Sequence, residues 1–172
     1  MAEAESSMSR DESIERLGKM IKGIRVAMLT TLDPDGVLRS RPMATQEADF
    51  DGTLWFFTKK STGKVHSIEN DQHVNLAYSK PDDQNYVSVA GTATIVEDRA
   101  KIHELWTPAM KAWFSEGVDD PEITLIRVDV DSAEIWDSPS SPVVHLIGMA
   151  KSIITGRSMD EGKQPERVTL NH

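Results

Sequence analysis

Between Val37 and Lys64 the chain carries VLRSRPMATQ, a turn, and TLWFFTKKSTGK. An arginine guanidinium matches a phosphate bidentately, a lysine ammonium adds a compact charge, and a serine/threonine turn opening a helix offers free backbone N–H groups. Arg39, Arg41, Lys59, Lys60 and Lys64 concentrate positive charge in a chain whose formal net charge is -9. Trp55-Phe56-Phe57 supplies flat apolar surface in the same stretch. Together these residues could cradle a planar ring with a phosphate tail. From spacing alone, solvated charges on a hairpin are the plainer reading of the cations. A core strand is the plainer reading for at least one aromatic face, because side chains alternate.

Other chemistries are poorly served. The chain has no cysteine, which removes disulfides, thiolate metal sites and thiol nucleophiles. The histidines at 66, 73, 103, 145 and 172 show no HExxH or i, i+4 pairing, so no metal site is expected. Neither GxSxG, a P-loop nor GxGxxG occurs. A pI near 5.0 argues against duplex nucleic acid and anionic membranes, both of which need a basic surface. The opening MAEAESSMSRDES is acidic and polar, unlike a signal peptide, and no apolar run approaches the ~20 residues of a membrane span. The expectation is a cytoplasmic protein of one domain.

The elements that must position residues 37–64 read as follows. Ser9 and Glu12 have capping-box spacing before an apolar stripe of Ile14, Leu17, Met20 and Ile21, which predicts a helix ending near Gly23. IRVAMLTTL (24–32) is a strand, Asp33-Pro34-Asp35-Gly36 a turn, and 37–46 the return strand, with Val37, Arg39, Arg41, Met43 and Thr45 on one face. Pro42 makes that strand an edge or a bulge. TLWFFT (53–58) is a third strand, and Ser61-Thr62-Gly63 opens a short helix with Lys64 in its first turn.

Beyond it lie strands over 72–79, with Val74, Leu76 and Tyr78 on one face, and 85–98, with a bend or bulge at Gly91. A helix capped by Asp98 follows through Trp106, Pro108 begins another turn of helix, and a strand or bent pair covers 123–137. Trp106, Met110, Trp113 and Phe114 have helical core spacing, with a lid or a subunit contact as the sharper alternative. VVHLIGMAKSII (143–154) is amphipathic, and no periodicity follows Gly156. Six or seven mostly antiparallel strands with short helices predict a mainly β protein, a closed or partly closed barrel with peripheral helices.

The ordered set T-T-L-D-x-D-G-x-x-R-S-R-P-M, L-W-F-F-T-K-K-S-x-x-K, V-N-L-A-Y, Y-V-S-V-x-G-x-A and A-E-I-W-D resembles the pyridoxamine 5′-phosphate oxidase-like flavoproteins, and among them the general stress protein 26 branch. The resemblance runs from about Ile24 to Ser138. It implies a split β-barrel that binds FMN at the interface of a homodimer. It places Arg39, Ser40, Arg41, Pro42 and Met43 along the isoalloxazine ring. Trp55, Phe56, Phe57 and Thr58 would line the ring and ribityl chain, partly through backbone. Ser61 and Lys64 match an S-x-x-K phosphate grip, and Trp136 would approach from the other subunit. The implied organisation is a flexible N-terminus (1–8), an FMN-binding domain (9–138), a C-terminal helix (139–155) and a flexible tail (156–172).

The departures bear on activity. Oxidases acting on pyridoxamine phosphate carry R-x-x-x-L-K before the aromatic strand, where this chain has R-S-R-P-M. The resemblance therefore implies an FMN-dependent oxidoreductase of unknown substrate, with a non-catalytic flavin-binding stress or sensor protein as the alternative. Vitamin B6 synthesis is disfavoured. No residue stands out as a general acid or base.

Overall fold

The computed structural model describes residues 8–137 and 165–170. Helix α1 (Arg10–Ile21) starts at Ser9 through a reciprocal capping box. The Glu12 N–H donates to Ser9 Oγ at 3.3 Å, and the Ser9 N–H donates to Glu12 Oε2 at 2.7 Å. Leu17 and Met20 on the predicted stripe are buried, which seats the helix on the sheet.

Seven strands follow: β1 (Val26–Leu32), β2 (Leu38–Ala44), β3 (Thr53–Lys59), β4 (His73–Lys80), β5 (Asn85–Val96), β6 (Ile123–Trp136) and β7 (Glu166–Thr169). Helix α2 (Gly63–Asn70) links β3 to β4, and α3 (Arg99–Leu105) follows β5. Every pairing is antiparallel, in the order β2-β1-β4-β5-β6-β3, with β7 also on β6. The sheet curls without closing: β2 and β3 end the path and come close to each other without pairing.

Two register details shape this sheet. The 14-residue β6 carries β5 on one edge, and β3 and β7 end to end on the other. At Ala90/Gly91 the β5–β6 register shifts, a bulge that bends the sheet. A Cβ on Gly91 would lie 2.7 Å from the Asp129 carbonyl oxygen and 2.8 Å from Val128 Cγ1, so only glycine allows the two strands this approach.

The main core lies on the inner face, where Ala27, Leu29, Met43, Phe56, Leu76, Tyr78, Val87, Val89 and Val128 join Leu17 of α1. A second cluster sits on the opposite face of β3 and β6, under α3 and the 3-10 turn Pro108–Ala112. There Trp55 and Phe57 pack with Ile102, Met110, Phe114 and Leu125. Phe57, Trp106 and Phe114 form a ring trio with centroids 6.0–6.2 Å apart.

The structure departs from the sequence reading in two places and leaves a third untouched. Helix α3 ends at Leu105 and Pro108 opens a separate 3-10 turn, as expected, so the core spacing of Trp106, Met110, Trp113 and Phe114 does not run along one helix. Trp113 consequently points outward at 64% exposure instead of joining Met110 and Phe114 in the core. The stretch read as a flexible tail contains β7, and Val168 within it and Leu170 just after it are buried in the main core. The expected C-terminal helix over 139–155 lies outside the described residues. No helix among the described residues is long and apolar enough to cross a membrane.

Candidate functional site

Arg39 and Arg41 project from β2 to the inner face, since they pair with Thr31 and Leu29 of β1. The β1–β2 turn returns the chain through Gly36 (φ +80°), with its N–H donating to the Asp33 carbonyl at 2.8 Å. That turn sets Asp33 beside both guanidinium groups. Arg39 Nη1 donates to Asp33 Oδ2 at 2.6 Å and Arg39 Nη2 to Asp35 Oδ2 at 3.0 Å. Arg41 Nη2 reaches the two Asp33 oxygens at 3.2 and 3.3 Å, and its Nη1 donates to Thr31 Oγ1 at 2.7 Å. From α2, the buried Ser67 hydroxyl donates to Asp33 Oδ1 at 2.6 Å. Ser67, followed by Arg39, Arg41 and Thr31, holds the Asp33 carboxyl well below the usual carboxylate range.

Lys64 is different. Partly buried in the first turn of α2, it donates to the buried Thr58 hydroxyl at 3.2 Å and has no carboxylate partner among the described residues. Thr58 in turn shares a 3.2 Å hydroxyl contact with Thr62, the residue before α2. Burial, and then the positive charge of Arg41, push the Lys64 ammonium below the ordinary lysine value. A half-buried cation with a second cation near it and no acid against it favours an anion at that point.

The free edge of β3 adjoins this cluster. Val130 N–H donates to the Gly52 carbonyl, and Lys60 N–H donates to the Glu122 carbonyl. Even-numbered residues therefore bond to β6, and alternation turns the backbone N–H and C=O of Thr53, Trp55, Phe57 and Lys59 toward the unpaired edge. The Lys59 carbonyl is met there by Thr62, through N–H at 3.1 Å and Oγ1 at 2.9 Å.

The structure thus gathers Arg39, Arg41, Thr58 and Lys64 around the seam between β2 and β3. Ser61 is exposed in the turn before α2. Met43 and Phe56 direct their side chains into the main core, at 4% and 1% exposure. Ser40 and Pro42 point to the outer face, where Ser40 Oγ and Thr30 Oγ1 are 2.7 Å apart. The Trp55 and Phe57 side chains face the second cluster, which leaves their backbone for the seam. Trp136 stands opposite Tyr86 on the outer face, four strands from β2 in the sheet. It does not join the cluster within one chain.

Sequence reasoning missed Asp33, Thr31 and Ser67. Asp33 read as a turn residue only. The hairpin register facing Arg39 with Thr31 could have brought it forward, whereas nothing in the sequence links Ser67 to a residue 34 positions away.

A mainly antiparallel sheet that curls but stays open between its end strands is the architecture of the split-barrel proteins. The chain belongs to the pyridoxamine 5′-phosphate oxidase-like family, whose model matches residues 12–160. It is 30% identical to Protein bli-3 of Neurospora crassa over 175 residues, covering 96% of this chain and 84% of that protein. General stress protein 26 of Bacillus subtilis is 28% identical over 97 residues, 55% of this chain and 69% of that protein. The crystal structure of the general stress FMN/FAD binding protein from Xanthomonas citri is 34% identical, with a TM-score of 0.65 over 76% of this chain and 92% of that one.

Proposed function

We propose that the chain binds FMN at the β2–β3 seam and serves as a flavin-dependent oxidoreductase of the general stress protein type. One observation carries this reading: Lys64, half-buried beside Arg41 with no carboxylate partner among the described residues, is a cation built for an anion. Phosphate fits that position, with Ser61 and the N-terminal N–H groups of α2 as further donors. The Xanthomonas relative described as FMN/FAD binding supports a flavin. When bound, the flavin supplies redox chemistry. The protein's part is to hold the phosphate through Lys64 and Arg41 and to offer the ring the β3 backbone at Trp55 and Phe57. The Arg39–Met43 strand lies alongside.

The site is completed by a second copy of the chain in this reading. Val26, Met28, Leu38, Tyr86 and Trp136 are 39–69% exposed, and all five project from the outer face of the sheet. No element among the described residues covers them. A homodimer burying this face would remove the apolar patch from water and bring a partner's Trp136 toward the seam.

A second reading, a flavin-binding protein without turnover, draws on the cluster's titratable groups. Asp33 and Asp35, its carboxylates, are both engaged by arginine, and no histidine bonds to either. Among the described residues, neither carboxylate is free to move a proton. Anaerobic addition of NADH or NADPH to the FMN-loaded protein separates the two readings. Bleaching followed by reoxidation in air supports an oxidoreductase, and a spectrum that never changes supports the binding protein.

A further inference from the structure

Asp33 poses a problem for an anion site. It places a negative charge, 14% exposed, among the cations that should attract a phosphate. By charge alone, its loss would strengthen anion binding.

Its contacts describe another role. Ionised carboxylate oxygens offer about four acceptor positions. Those of Asp33 are taken by Ser67 and Thr31 on Oδ1, by Arg39 on Oδ2 and by Arg41 across both. Ser67 is itself fixed: buried at 1% exposure, its hydroxyl also lies 2.9 Å from the Gly63 carbonyl in the first turn of α2. Asp33 therefore ties the arginine strand β2 to the helix whose first turn carries Lys64. Without it, two like charges on one face of an edge strand would repel, and among the described residues Arg41 would keep only Thr31 as a hydrogen-bond partner.

We propose that Asp33 is a positioning residue for phosphate recognition, locking Arg41 against helix α2 so that it and Lys64 meet one phosphate together. This rests on the FMN reading. Orientation should outweigh charge, because a partly exposed charge is screened, whereas a misplaced guanidinium forfeits a charge-assisted hydrogen bond.

The test is a fluorescence titration of the full chain with FMN and with riboflavin, in the wild type, Asp33→Asn and Ser67→Ala. Riboflavin lacks the phosphate and reports everything else. Asp33→Asn should weaken FMN by about 10-fold or more, the size of one charged hydrogen bond, and leave riboflavin within about 2-fold. Ser67→Ala keeps the charge but loosens the tie, so it should weaken FMN selectively by a smaller factor. It carries the test alone if Asp33→Asn does not fold. Tighter or unchanged FMN binding in the variants, or equal losses for both ligands, overturns the proposal while the FMN reading stands. A wild type that does not distinguish FMN from riboflavin overturns both.

Discussion

Lys64 on α2 donates to the buried Thr58 hydroxyl of β3 at 3.2 Å. A helix-borne cation is thereby turned onto the end of the strand whose other edge is unpaired. Nearby, Arg39 and Arg41 meet Asp33, and Arg39 meets Asp35 as well, so these pairs are close to balanced within themselves. Lys64 is the uncompensated charge of the cluster among the described residues. That asymmetry is the physical content of the phosphate assignment.

Acid should weaken the Asp33 network. The folded-state pKa of Asp33 is depressed below its ordinary 3.8, so its contribution to stability is present above that value and is lost as pH falls through the folded one. Urea midpoints for wild type and Asp33→Asn should therefore converge as pH drops below about 4. Parallel curves from pH 7 to pH 3 would remove Asp33 from the acid response.

Gly91→Ala tests the bulge. The new Cβ meets a backbone oxygen at 2.7 Å, which cannot swing aside as a side chain would. A loss of about 1–3 kcal/mol in chemical denaturation is expected from such overpacking. A midpoint unchanged from wild type would mean that β5 and β6 can slide apart at no cost.

The outer face predicts an assembly. Wild-type protein should sediment as a dimer, and Met28→Asp should release monomers with unchanged far-UV circular dichroism, because Met28 is 39% exposed and supports no core packing. FMN affinity should fall in the same variant if the partner completes the site. A variant that remains dimeric would move the interface elsewhere.

Ser9→Ala removes half of the capping box of α1. About 1 kcal/mol of stability should be lost in thermal or chemical unfolding. The proposed flavin site should be untouched, since α1 supplies none of its residues.

Much of this architecture was legible in the sequence because it rests on local rules. The capping box at Ser9 and Glu12, the Asp33–Gly36 turn, the alternation of Val74, Leu76 and Tyr78, and the Gly91 bulge each involve residues close in sequence. Pro42 marked β2 as an edge, and β2 does end the sheet. What escaped depends on distant partners. The four residues of β7 carry no pattern of their own and become a strand through pairing with Ser132–Ile135. Asp33 gained its role from Ser67, which the fold alone brings near. Trp113 was misjudged because helical spacing was carried across a proline.

The central claim is that Lys64 recognises a phosphate, and a paired titration of wild type and Lys64→Ala with FMN and riboflavin tests it most directly. Loss of one charge-assisted contact should weaken FMN by about 10- to 100-fold and leave riboflavin within about 2-fold. Equal losses for the two flavins, or no flavin affinity in the wild type, would contradict it.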